Sequence, residues 1–419
     1  MVAKKDLSRI QQVVIVMMEN RSFDHMLGYL SLPGFGHPRF DEIEGVAQAM
    51  EFYNGQQFFP KTLQSPSLSP DPPHERSDIA VQLAKNAAGG YDMNGFVSSY
   101  LQWLMDNRYV GADMNWLVTN NASQPVRPDG VMEYCTGPQV PTTDFLAKNF
   151  TICDRSFASI PASTLPNRLF AMSGHALRDV TPDGYLADAN NFLFLGPDDL
   201  LYQWLTKWSI PWHVYHQGSP FFRACESLKG LISNPNLFKD LTALADDAAN
   251  DMLTGVTFVE PLYQDDLYLN HQQATDDHPP ASIWGGEGFL KKVYDAVSHS
   301  PSWANTVMIV TYDEHGAFFD HVPPLSIPAP TPTGANYQPF ATSGLRVPTI
   351  VVSPFVGAGG VSHVTLDHTS TLRFLAELYA HEPYNDLVAA RNGVVSLSEV
   401  FDDALLAPNA ATRPAPPIG

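Results

Sequence analysis

Five short stretches of this 419-residue chain carry side chains that could act together in chemistry. Glu19-Asn20 and Asp313-Glu314 each follow a β-branched, apolar run, "QVVIVMM" and "TVMIVTY". Three carboxylates and an amide carbonyl brought to one place would repel one another unless a cation sat among them. Hard oxygen donors suit Mg²⁺, Ca²⁺ or Mn²⁺, and Zn²⁺ enters if histidine joins them. The plainer alternative is that Asp313-Glu314 cap the segment that follows and that Glu19 pairs with Arg21. Thr164, two residues before Pro166 in "STLPNRLF", is predicted at the N-cap of a helix. Free N–H groups and the positive end of the helix dipole favour a phosphate there. A threonine hydroxyl attacks phosphorus only when a base or metal activates it, and most such residues simply cap. Ser163 is the rival in the same place. His74, His278 and His321 follow "DPP", "DD" and Asp320, and imidazole, with an ordinary pKa near ~6.5, can protonate a leaving alkoxide. Arg21 and Arg168 lie beside these stretches, where arginine either faces a phosphate or braces carboxylates.

These residues need a frame. The runs ending at Met18, Tyr312 and Ser353 read as buried strands. Asp198–Lys207, Gly286–Ser298 and Asp367–Tyr379 read as helices between them, the last with Leu372, Leu375 and Leu378 at helical spacing. The alternation predicts an α/β fold with a mostly parallel sheet, covered by helices on both faces. Ligands in such sheets gather at the carboxyl ends of the strands, where Glu19-Asn20 and Asp313-Glu314 fall. The stretches 60–73 and 323–339 read as loops. No composition shift divides the chain, so residues 1–406 are read as a single domain with long loop insertions. Residues 407–419 form an Ala/Pro-rich tail expected to fray.

Composition narrows the function. Hydrophobic residues make up 44% and charged residues 16%, with 35 prolines and 28 glycines, a globular chain rich in irregular loops. With 24 basic and 44 acidic residues the formal charge is −20, which argues against a nucleic-acid binder and against electrostatic docking on an anionic membrane. A local cation can still bring in a phosphorylated substrate. Cys135, Cys153 and Cys225 are too few for a disulfide framework and read as buried thiols, a Cys135–Cys153 bridge being the alternative. No apolar run approaches the roughly 20 residues of a membrane span.

Taken together, "MMENRSFDHMLGYL", "DPPH", "MNGFV", "TLPNR", "FVEP", "DDHPP", "TYDEHGAFFDHVPP", "GLRVPTIVVSP" and "LDHTSTLRFL" occur in the order found in one family. In them the chain resembles the bacterial phospholipase C and acid phosphatase phosphoesterases, which include the plant non-specific phospholipases C. The resemblance implies a three-layer α/β/α, alkaline-phosphatase-like fold. It implies a divalent metal held by Glu19, Asn20, Asp313 and Glu314, and a nucleophile at Thr164, which directly precedes "LPNR". It places His74, His278 and Asp320-His321 near the phosphate. Asn167 and Arg168 are expected at the substrate. A further mid-chain histidine is matched by His213 or His216, of which His216 is the better candidate. Ala317 stands where the long motif usually has glycine, acceptable if the backbone angles suit alanine.

The expected substrate is a phospholipid or a small phosphoester, with peripheral lipid contact at most. Phosphatidylcholine cleaved through a phosphothreonine comes first, a phosphomonoester second, and a non-catalytic phosphate- or metal-binding protein third. The export signal and the C-terminal β-domains of some relatives are not seen. The chain is therefore read as cytoplasmic, or as secreted or periplasmic with its signal removed. The oligomeric state is left open.

Overall fold

The structure is a computed structural model that describes residues 5–34, 51–53, 55–107, 126–176, 200–253, 255–266, 273–335 and 337–418. Its frame is an eight-stranded sheet. The strands are β1 (Gln12–Met18), β2 (Thr151–Cys153), β3 (Trp212–His216), β4 (Phe238–Asp240), β5 (Gly255–Glu260), β6 (Thr306–Tyr312), β7 (Thr349–Val352) and β8 (Gly360–Ser362). Their order across the sheet is β8-β2-β7-β6-β1-β5-β3-β4. The central strands β1 and β6 are rich in Val, Ile and Met. Val13, Val14, Val16, Met18, Val256, Val307 and Met308 have no exposed surface. Burying each such side chain contributes roughly 1.5–3 kcal/mol, which is why these runs take the middle of the sheet.

β1 pairs in parallel with both β5 and β6, so Met18 stands opposite Tyr312 and the two acidic stretches leave the sheet side by side. The expectation of a mostly parallel sheet holds with one correction. β7, which ends next to Ser353, runs antiparallel to both of its neighbours, β6 and β2. It therefore presents the residues before it, not those after it, to the end of the sheet where β1 and β6 finish.

Helices flank the sheet in two groups. α5 (Thr164–Ser173), α6 (Leu201–Lys207) and α9 (Thr369–Leu375) cover the face that presents Ile15, Met17, Phe258 and Ile309. α4 (Pro141–Asn149), α7 (Leu244–Ala249) and α8 (Ile283–Ser298) pack together as the second group. The expected helix over 198–207 is observed from Leu201; Asp198 and Asp199 lie outside the described residues. α9 continues into a wider π turn over Ala376–Ala380, which leaves Leu378 only partly buried while Leu372 and Leu375 are fully enclosed. A second apolar cluster joins α2 (Arg76–Leu83) and α3 (Phe96–Asp106) to Phe318, Phe319 and Leu345. It anchors the loop insertions beside the end of β6.

Two expectations about the periphery resolve differently. All three cysteines are free and buried, as read from their number. The tail does not fray. The Tyr294 hydroxyl donates to the Pro416 carbonyl at 2.6 Å, Trp303 Nε1 donates to the Arg413 carbonyl at 3.1 Å, and the Arg413 guanidinium lies 5.1 Å from the Phe150 ring centre. Prolines restrict the unfolded tail, so tying it down costs less entropy than its composition suggests.

Candidate functional site

β1 and β6 deliver their carboxylates to one point because backbone bonds lock the two exits together. Asp313 N–H donates to the Met18 carbonyl at 3.2 Å, and Arg21 N–H donates to the Glu314 carbonyl at 3.1 Å. Gly316 lies so close that a Cβ on it would stand 2.1 Å from the Asn20 carbonyl oxygen, and its φ is +61°. Only glycine fits there. Ala317 follows at φ +60°, a left-handed conformation that costs alanine roughly 1–2 kcal/mol. Its backbone angles are therefore those that favour the missing glycine.

Glu19, Asn20, Asp313 and Glu314 are all buried, at 3% exposure or less. Asn20 N–H donates to Asp313 Oδ1 at 3.1 Å. Arg168 bridges two of the carboxylates, with Nη2 3.0 Å from Glu19 Oε1 and Nε 3.1 Å from Asp313 Oδ2. Its guanidinium stacks on Phe221 (4.4 Å) and Tyr263 (5.1 Å). Glu19 thus pairs with Arg168 and not with Arg21, which gives Nη2–H to the Asp277 carbonyl at 2.6 Å.

These surroundings set the protonation of the cluster. Burial pushes the Glu19 pKa up, but Arg168 and His278 outweigh it and hold it below the ordinary value. Burial raises Asp313 to about 7; Arg168 opposes the shift while Glu19 and Glu314 add to it. Arg168 reaches Glu19 and Asp313 but not Glu314, and Glu314 Oε1 is buried with no hydrogen-bond partner among the described residues. The donor set fits a divalent cation on both counts. Close carboxylate–imidazole groups that could hold a metal ion also occur at Asp71/His74/His278 and Glu19/Asp276/His278.

Thr164 is the first residue of α5 and Ser163 is its N-cap, one position from the expectation. The Thr164 hydroxyl donates to Asn20 Oδ1 at 3.2 Å, whereas Ser163 Oγ donates to Glu75 Oε2 at 3.1 Å and is 2% exposed. Thr164 opens on a cleft of about 310 Å³ whose walls include Glu19, Asp71, His74, Phe221, Arg223 and His278.

His74 and His278 face each other edge to face, ring centres 5.8 Å apart. His74 Nδ1 bonds the Pro72 carbonyl at 2.8 Å, so it carries the proton there and leaves Nε2 for the cleft, 3.3 Å from Asn20 Nδ2. Burial opposes charge on His74, but Glu314 and Asp71 raise its pKa to about 9. His278 touches a carboxylate with each nitrogen, Glu19 Oε2 and Asp71 Oδ2, both at 3.1 Å. Carboxylates only accept, so both nitrogens donate and the ring is an imidazolium. Its pKa is accordingly raised well above the ordinary value, against the cost of burial.

The other expected residues lie elsewhere. Asn167 is fully buried and staples the turn before α5, accepting from Ile160 N–H at 3.1 Å and donating to the Ala162 carbonyl at 2.7 Å. It shapes the position of Thr164 and does not face the cleft. Asp320 is fully buried and bound to Arg346 Nε at 2.9 Å. His321 bonds Asp24 Oδ2 at 2.7 Å in the same network, and neither residue lines the cleft. Arg346, just before the antiparallel β7, also holds Asp24 at 2.8 Å, so this network fixes α1 (Phe23–Leu27). His216 bonds the Gly218 carbonyl at 2.6 Å and is likewise absent from the walls.

Several site residues were not read from the sequence. Asp71 holds His278, and Asp276 accepts from His278 N–H at 3.1 Å and Gln264 N–H at 2.6 Å. Both lie inside quoted motifs, "DPPH" and "DDHPP", and could have been noticed there. Phe221, Arg223, Tyr263, Asp265 and Asp266 carry no local signal; the cleft alone reveals them.

A profile of the Phosphoesterase family matches residues 10–380, which spans every element described around the cleft. The chain belongs to the Phosphoesterase family. Among members of known sequence, non-specific phospholipase C6 of Arabidopsis thaliana is 32% identical over 364 residues, covering 84% of this chain and 63% of that protein. Non-specific phospholipase C3 of the same plant is 30% identical, covering 85% and 65%. The chain thus spans less than two thirds of the length of these plant phosphoesterases. Phospholipase C A of Mycobacterium tuberculosis is 29% identical, covering 97% of this chain and 80% of that protein. Among solved structures, the phosphonate monoester hydrolase of Agrobacterium radiobacter aligns over 62% of this chain and 72% of its own, at 12% identity and a TM-score of 0.32. None of the described helices is long and apolar enough to cross a membrane.

Proposed function

We propose that this chain hydrolyses phosphoesters as a phospholipase C, with Thr164 as nucleophile. The observation that carries the proposal is the Thr164 hydroxyl at the first turn of α5, bonded to Asn20 and open to a cleft shared with His74 and His278. The named phospholipases C at about 30% identity support the substrate class.

Glu19, Asn20, Asp313 and Glu314 would hold a divalent cation, which when bound supplies Lewis-acid stabilisation of charge on oxygen. The chain's own residues do the rest. The N-terminus of α5 directs free N–H groups and its dipole towards the phosphate. Thr164 releases its hydroxyl proton to solvent in the cleft as Oγ attacks phosphorus, the new P–O bond forming as the P–O bond to diacylglycerol breaks. His74 is the acid that protonates the departing alkoxide, because Nδ1–H is held by Pro72 and its pKa of about 9 puts a second proton on Nε2, which faces the cleft. His278 is less suited, since both its nitrogens are committed to carboxylates. Water then cleaves the phosphothreonine and releases the phosphorylated head group. Asn167 and Arg168 orient the nucleophile and the carboxylates without touching substrate.

The deciding experiment compares turnover of phosphatidylcholine vesicles and p-nitrophenyl phosphate on one preparation, before and after chelation and on adding back Ca²⁺, Mg²⁺, Mn²⁺ or Zn²⁺. Preference for the lipid diester supports the proposal. Preference for the monoester makes the chain an acid phosphatase, and no turnover with any metal points to a phosphate- or metal-binding protein.

A further inference from the structure

The cleft contains one basic side chain that the mechanism leaves unused. Arg223 lines it together with Thr164, His74 and His278. The other cations near the phosphate site are already engaged: Arg168 by Glu19 and Asp313, Arg21 by the Asp277 carbonyl, and His278 by Glu19 and Asp71. Among the described residues the Arg223 guanidinium has neither an ion pair nor a hydrogen bond. The nearby acidic wall does not claim it. Asp71 is held by His278, and Asp266 accepts from Ser219 N–H at 2.6 Å and Ser219 Oγ at 3.2 Å.

The base of this side chain is nonetheless fixed. Arg223 N–H donates to the Pro220 carbonyl at 3.1 Å within the 3₁₀ turn Phe221–Ala224. Two residues earlier, Phe221 N–H donates to Glu260 Oε2 at 2.8 Å, and the Phe221 ring packs on the Arg168 guanidinium. A rigid turn therefore carries a half-buried, uncommitted guanidinium into the space that Thr164 faces. Such a group is matched to a phosphate, whose oxygens accept two parallel N–H donors.

We infer that Arg223 binds a non-bridging phosphate oxygen of the substrate, a binding residue supplied by the loop after β3. The inference rests on the phosphoester reading of the Thr164 cleft. Because that oxygen is present in diesters and monoesters alike, Arg223 serves affinity for the phosphate and not choice of head group.

The test is titration of inorganic phosphate into the full chain by calorimetry, in a Thr164→Ala background so that no turnover intervenes. Adding Arg223→Gln weakens phosphate binding roughly tenfold or more, and Arg223→Lys, which keeps the charge but loses the fork, by less. In the otherwise unaltered enzyme, Arg223→Gln raises KM for phosphatidylcholine and p-nitrophenyl phosphate by similar factors. Melting temperature stays unchanged, because the guanidinium makes no internal bond. Equal phosphate affinity with and without the Arg223→Gln substitution overturns the inference even if hydrolysis is normal. Arg223-dependent phosphate binding in a chain that turns over no ester upholds it while the hydrolase reading fails.

Discussion

Thr164 Oγ donates to Asn20 Oδ1 at 3.2 Å, joining the start of α5 to the end of β1 across 144 positions of sequence. Ser163, one residue earlier, turns to Glu75 instead. The two hydroxyls that are equivalent in sequence are thus separated by one step of helix rotation.

That separation yields the first prediction. Thr164→Ala lowers kcat by a factor of about 10³ or more, the scale of removing a nucleophile, while circular dichroism and melting temperature stay near wild type. Ser163→Ala loses the Glu75 contact and keeps kcat within a few fold. Measured kcat of the two variants checks this, and near-normal turnover in Thr164→Ala would assign the nucleophile elsewhere.

Among the described residues Arg168 is the sole arginine bonded to Glu19 and Asp313, and all three side chains are buried. Arg168→Met leaves both carboxylates without it, and removing one partner of a buried pair costs about 3–5 kcal/mol. Urea denaturation should show a loss of unfolding free energy of that size. Saturating divalent cation should recover part of the loss if the carboxylates bind it, a linkage that a purely structural arginine would not display.

Ala317 sits at φ +60° directly after Gly316. Replacing it with glycine removes steric strain of about 1–2 kcal/mol and adds about 0.4–1 kcal/mol of unfolded-state entropy. Ala317→Gly should therefore stabilise the chain by up to about 1.6 kcal/mol, read as a higher denaturation midpoint at unchanged m-value. Destabilisation would show that the Cβ makes a compensating contact.

Glu287 lies on α8 and caps α4, accepting from Thr142 N–H at 2.6 Å, Thr143 N–H at 3.2 Å and Thr143 Oγ1 at 2.5 Å. Burial raises its pKa to about 7, and the bonds from Thr143 only partly oppose the shift. Between its unfolded value near ~4.5 and about 7 the folded chain holds this proton more tightly than the unfolded one. Its contribution to stability is therefore fully present below about pH 4.5 and is lost as pH rises through about 7, an effect on the order of 3 kcal/mol. Glu287→Gln should flatten this part of the stability–pH curve relative to wild type. An unchanged curve would show that Glu287 does not titrate there.

Read alone, the sequence determined what each stretch can be. Buried β-branched runs at β1 and β6 mark strands, Pro166 two residues after Thr164 marks a helix start, and Glu19-Asn20 and Asp313-Glu314 mark acidic strand exits. Those signals are local, since burial period and turn chemistry act over a few neighbouring residues. Which partner each side chain meets was decided only in three dimensions. Strand order set Glu19 against Arg168 in place of adjacent Arg21, and the reversed direction of β7 brought Arg346 to Asp24 and Asp320. Asp71 reached His278 across 207 positions, and Arg223 came to the Thr164 cleft with no motif to announce it. Such contacts depend on the register and packing of segments far apart in sequence.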